Sequence, residues 1–102
     1  MIDALKNIFG KAVDYKEIMK ADGIIIDVRS PQEYSSGHIE ESINIPLDKL
    51  DAQLSKLKDK NQPIITCCAS GMRSGSAKSI LISKGYEQVY NGGGWMSLNG
   101  KI

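Results

Sequence analysis

The chain is poor in the residues that usually staple or anchor a small protein. Among its 102 residues only Cys67 and Cys68 are cysteine, and they are adjacent. Neighbouring thiols make no disulfide framework and lack the spaced four-ligand pattern of a zinc site. A bond between them would close a strained ring, so a reduced, cytoplasmic setting is expected. Neither a metal nor a cofactor is expected. Long hydrophobic runs are missing too; none approaches the roughly 18 residues that a membrane span requires. The opening ten residues are too short and too polar for a secretory signal. Within them Ile2, Leu5, Ile8 and Phe9 fall on one face of a short helix, expected to pack on the domain. Neither sign of charge predominates: the net charge is +1, so no field attracts nucleic acid. No internal repeat or linker is visible, and the length suits one domain. Arginine is scarce as well. Arg29 and Arg73 are the only two, and each follows a predicted strand.

Apolar runs and helical spacings alternate along the rest of the chain. Ala12, Val13 and Asp14 read as a short edge strand, and 15–20 as a brief helix ending near Asp22 and Gly23. Residues 23–28 form a continuous apolar run, the pattern of a strand buried on both faces. Pro31 breaks it, and 32–35 fit one helical turn before Gly37. Residues 42–45 make a short strand stopped by Pro46. Leu47, Leu50, Leu54 and Leu57 are spaced as one helical face, with Lys56, Lys58 and Lys60 at its negative end. Pro63 opens a strand that runs to the cysteines. A second amphipathic helix follows over 74–84, carrying Ala77, Ile80 and Leu81 inward and closed by Gly85. Residues 88–90 read as a last strand, and 91–94 as a turn. Strands alternating with helices predict an α/β fold: a small, mostly parallel sheet flanked by helices in three layers. Ligands of such sheets bind beyond the carboxyl ends of the strands. Asp27-Val28-Arg29 and the segment after Cys68 both lie at such ends.

The segment Cys68-Ala69-Ser70-Gly71-Met72-Arg73 carries the chemistry. The reactive form of cysteine is the thiolate, and a free thiol with pKa ~8.5 is mostly protonated at neutral pH. A loop leading into a helix supplies free N–H groups and a dipole that favour an anion. Gly71 lets the chain turn where a side chain would clash, and successive N–H groups curled about one point form an anion-binding nest. Arg73 is always cationic.

These motifs resemble the rhodanese family of sulfurtransferases, from about residue 12 to 102. The stretches that carry the resemblance are Ile26-Asp27-Val28-Arg29, Glu33-Tyr34, Gly37-His38-Ile39, Ile43-Asn44-Ile45-Pro46, the loop from Cys68 to Ser74, and Gly93-Gly94, all in the family's order. Residues 1–11 then read as an N-terminal extension. The resemblance implies a catalytic Cys68 that takes sulfane sulfur from thiosulfate or a similar donor. The sulfur would rest on it as a persulfide and pass to cyanide or a thiol. It implies that the amides of Ala69, Ser70, Gly71, Met72 and Arg73 cradle that persulfide, with Arg73 orienting the anionic donor. The partners expected are a small-molecule donor and acceptor, a protein thiol being a further acceptor, for a monomeric chain. The sequence also departs from the family. Ala69 stands where many thiosulfate-using members carry a cation. Leu98 stands where an aromatic residue is frequent, while Trp95 follows Gly94 directly.

Counted from Cys67, the same loop is C-x5-R, one residue longer, which resembles the related phosphatases and arsenate reductases. Pro63 lies five residues before Cys68 and Gly71 three after it, the sulfurtransferase spacing. Cys68 is therefore the preferred nucleophile and Cys67 a core residue. A non-catalytic sulfur-carrier module is a third reading. Asp27 and Arg29 are expected to pair and brace the edge of the site. His38 fits a turn feeding a strand, Glu33 and Tyr34 fit packing and solvent-facing supports, Trp95 fits a core lid, and Met72 is expected to be exposed.

Overall fold

The computed structural model describes residues 13–102. The apolar face at Ile2, Leu5, Ile8 and Phe9, and Ala12, lie outside them. Four strands form one parallel sheet in the order β2-β1-β3-β4: β1 (Ile24–Asp27), β2 (Ile43–Asn44), β3 (Ile64–Cys68) and β4 (Val89–Gly94). The two central strands, β1 and β3, are the isoleucine-rich runs. All of β3 is buried, as expected for a strand covered on both faces.

Side chains of a strand alternate between faces, and here the alternation divides the core in two. Ile26, Ile64 and Cys68 join Val28, Leu50, Ala77 and Leu81 on one face. Ile25, Ile65 and Cys67 join Ile39 and Leu98 on the other. Helix α3 (Met72–Ser83) covers the first face through Ala77 and Leu81. Helices α1 (Tyr15–Lys20) and α4 (Trp95–Asn99) cover the second, through Tyr15, Ile18, Met19, Trp95 and Leu98. Each fully buried isoleucine contributes on the order of 1.5–3 kcal/mol, so these central strands anchor the site above them. Helix α2 (Pro31–Ser36) follows β1. It starts on a capping box in which Ser30 and Glu33 each accept the other's backbone N–H, with proline in the first turn.

Four expectations need correction. Val13 and Asp14 are not in a strand; the Asp14 side chain instead accepts the N–H of Glu17 and caps α1. The leucines at 47–57 do not lie on an α-helix: Leu47 and Leu54 fall on two 3-10 segments, Leu47–Lys49 and Asp51–Lys56, and Leu50 and Leu57 cap the ends of these segments. Their bonds run from Leu50 N–H to Leu47, Gln53 to Leu50, and Leu57 to Leu54. A spacing of three matches the 3-10 period, so the leucines still reach the core. Lys60 does not serve that segment. Its ammonium donates to the Lys84 carbonyl (2.8 Å) at the end of α3 and lies over the Tyr86 ring. Finally, residues 91–94 extend β4 rather than form a turn, and α4 follows directly. The glycines there serve close approach: a β-carbon on Gly92 would lie 2.8 Å from both Ile65 Cγ2 and Leu98 Cδ2, and one on Gly94 2.9 Å from the Ala69 carbonyl. Gly94 pairs with Cys68 after a register shift that leaves one extra residue in β4. Among the described residues no helix is long and apolar enough to cross a membrane.

Candidate active site

Cys68 ends β3, at the carboxyl edge of the sheet. Gly71, with φ 104°, turns the chain into α3; a non-glycine residue is strained in this left-handed conformation. The turn folds the loop back over the sulfur. Cys68 Sγ accepts the N–H groups of Gly71 (2.9 Å) and Ser74 (3.3 Å) and lies 3.4 Å from Ser74 Oγ. The residue is buried, as is Ser74. Burial by itself pushes the Cys68 thiol up. The Ser74 hydroxyl and the amides of Ser74, Gly71 and Ser70 outweigh it, so the thiol lies below its ordinary value. Donors fixed around a sulfur at a helix mouth stabilise the thiolate.

Cys67 meets the opposite conditions one residue earlier. It is wholly buried among Ile25, Ile39, Ile65 and Leu98. That burial, with the nearby Asp27 carboxylate, pushes its thiol up to about 12. Both thiols are free.

The loop residues divide by exposure. Ala69, Ser70 and Met72 are exposed, Met72 at 81%. Arg73 is half-buried and turns its guanidinium to Glu33, donating to Oε1 at 2.7 Å and Oε2 at 3.0 Å. Its hydrogen bonds and the Ser30 contacts lower the Glu33 carboxyl to about 2. Glu33 is therefore more than a solvent-facing support, a role that sequence spacing did not reveal.

Asp27 and Arg29 pair as expected. Both are buried, and the Arg29 guanidinium donates to Asp27 Oδ2 at 2.7 Å and to the Gly37 carbonyl at 2.7 Å while stacking over Trp95. Its donors are engaged within the fold, which ties the end of β1 to the turn after α2. His38 stacks on Tyr34, and its Nδ1 donates to the Tyr34 carbonyl at 2.7 Å; a carbonyl only accepts, which assigns the tautomer.

Asn91 is the residue that sequence reasoning missed, having been assigned to a turn. From β4 its Oδ1 accepts the Ser74 hydroxyl (2.6 Å) and the Gly93 N–H (2.9 Å), while Nδ2 donates to the Gly71 carbonyl (3.3 Å). It thereby holds both residues whose N–H groups reach Cys68 Sγ. An asparagine ahead of three glycines was the available signal.

A profile of the Rhodanese-like domain matches residues 11–100. The chain is 41% identical over 70 residues to the thiosulfate sulfurtransferase PspE of Escherichia coli, covering 68% of this chain and 67% of that protein. It is 39% identical over 72 residues to the thiosulfate sulfurtransferase GlpE of Pseudoalteromonas translucida, covering 71% and 68%. The chain thus spans about two thirds of the length of these relatives. The solved structure of a rhodanese with anions from E. coli superposes with a TM-score of 0.70 at 38% identity, covering 74% of this chain and 89% of that one. The chain belongs to the rhodanese family, a mixed α/β fold on a parallel sheet. Its relatives support sulfur transfer as the reaction class and a thiosulfate sulfurtransferase as the type of enzyme.

Proposed function

We propose that Cys68 is the nucleophile of this sulfurtransferase and carries the transferred sulfur as a persulfide. The Cys68 thiolate attacks the outer sulfur of thiosulfate or a similar sulfane donor. A new S–S bond forms at Sγ, the donor's own S–S bond breaks, and sulfite leaves with that electron pair. Cyanide or a thiol then attacks the outer sulfur of the persulfide and returns the thiolate. The mechanism is covalent catalysis by an activated nucleophile, with N–H donors already in place for the negative charge. The carrying observation is the pair of N–H groups, Gly71 and Ser74, aimed at Sγ at 2.9 and 3.3 Å. In this reading the amides of Ala69 to Arg73 surround the persulfide, Arg73 faces the donor, and Asp27 and Arg29 brace the edge.

The longer C-x5-R loop would make Cys67 the nucleophile of a phosphatase or arsenate reductase. Its apolar burial and raised thiol speak against that. Residues 12–102 form the working domain in this account, with 1–11 an extension. The setting is a reducing cytoplasm, in keeping with two free neighbouring thiols, and the acceptor is a small thiol or a protein thiol. The test is thiocyanate formation from thiosulfate and cyanide. Cys68→Ser is expected to abolish it and Cys67→Ser to keep it. The reverse outcome, or an aryl phosphatase lost only in Cys67→Ser, would transfer the role to Cys67.

A further inference from the structure

Both arginines of the chain are already engaged by carboxylates: Arg29 by Asp27, and Arg73 by Glu33. Ala69, beside the nucleophile, is uncharged. A dianion approaching Cys68 therefore meets N–H dipoles but neither guanidinium unpaired. Glu33 is firmly held in this role. Its Oε1 also accepts the Ser30 N–H (3.0 Å), so the start of α2 and Arg73 grip the same carboxylate. The pair is not sealed off: each side chain is 38% exposed.

We propose that Glu33 sets donor selectivity at Cys68, by engaging Arg73 and so favouring sulfane donors of lower negative charge over a dianion. This rests on the sulfur-transfer mechanism above. Thiosulfate and methanethiosulfonate present the question with one charge changed. In each, the Cys68 thiolate attacks the outer sulfur, one S–S bond forms and one breaks. The leaving group is sulfite in the first case and methanesulfinate in the second, and a persulfide anion stays on the enzyme.

Glu33→Gln removes the charge but keeps an acceptor at the third helical position, where glutamine also completes a capping box. Relative to methanethiosulfonate, its kcat/KM for thiosulfate is expected to rise about fivefold, mainly through KM, as one partly exposed charge contact is released. The gain should shrink as salt is added, and adding Arg73→Gln should erase it. Glu33→Met, uncharged and of similar length, is the second variant and must shift the ratio the same way. An unchanged donor ratio in whichever variant folds, with sulfur still loaded on Cys68, overturns this inference alone. If neither donor loads sulfur on Cys68 in the wild type, the sulfur-transfer mechanism falls, and this inference with it.

Discussion

Cys67 and Cys68 are chemically identical neighbours on one strand, yet the two faces of the sheet give them opposite properties. On the α3 face, Cys68 meets the N–H groups of Gly71 and Ser74 and lies below its ordinary thiol value. On the other face, Cys67 meets isoleucines, Leu98 and the field of Asp27, and is pushed up to about 12. A single step along a strand reverses the face, and with it solvation, hydrogen bonding and charge. The ease of forming a thiolate here belongs to the position rather than to the residue type.

The comparison breaks most visibly on substitution of each thiol. Cys68→Ser is expected to lower thiocyanate formation by about a thousandfold or more, because a serine hydroxyl does not replace a thiolate nucleophile. Cys67→Ser should stay within about threefold once folded protein is compared; a deeper loss measured by steady-state kinetics would place Cys67 in the reaction. The buried pair of Asp27 and Arg29 lies beside Cys67, and Arg29→Ala leaves Asp27 buried without its partner. That variant is expected to lose about 3–5 kcal/mol in urea unfolding. A loss under about 1 kcal/mol would mean that the pair is not what holds this edge.

A smaller effect separates the two thiols by pH. Alkylation by iodoacetamide requires thiolate, so its rate rises as pH climbs through the thiol's pKa. The Cys68 profile should rise at lower pH than that of an ordinary thiol, and Cys67, pushed up to about 12, should stay unreacted over the same range. Equal profiles for the two, read by peptide mass, would erase the distinction. The finest effect concerns Asn91. Asn91→Asp places a negative charge beside Ser74 and removes the donor to the Gly71 carbonyl, so the Cys68 alkylation profile should move to higher pH by about half a unit to one unit. Asn91→Leu should raise it less, since no charge is added. An unmoved profile in both would reduce Asn91 to packing.

Much of this site was legible because its signals are local. The strand, Gly71 and the helix after it lie within one short segment, and the spacing of Pro63 and Gly71 set the register toward Cys68. The central strands β1 and β3 announced themselves as isoleucine runs bounded by glycine and proline. What stayed hidden depends on distant partners or on ambiguous spacing. Arg73 meets Glu33 across 40 positions, and Ser74 meets Asn91 across 17; neither contact follows from periodicity. The leucines at 47–57 satisfy helical and 3-10 spacing nearly equally, and backbone bonding decides. Glycines at 92–94 signal a turn by composition, whereas here Gly92 and Gly94 let β4 approach Ile65, Leu98 and the Ala69 carbonyl.

The contrast between the two thiols meets its most direct test in the location of the first transferred sulfur. The wild-type chain is treated with thiosulfate, trapped by rapid alkylation and digested, and the peptide holding both cysteines is fragmented between them. One added sulfur atom on Cys68, with Cys67 unmodified, is the predicted result. Sulfur on Cys67, or on neither residue with any sulfane donor, would contradict it.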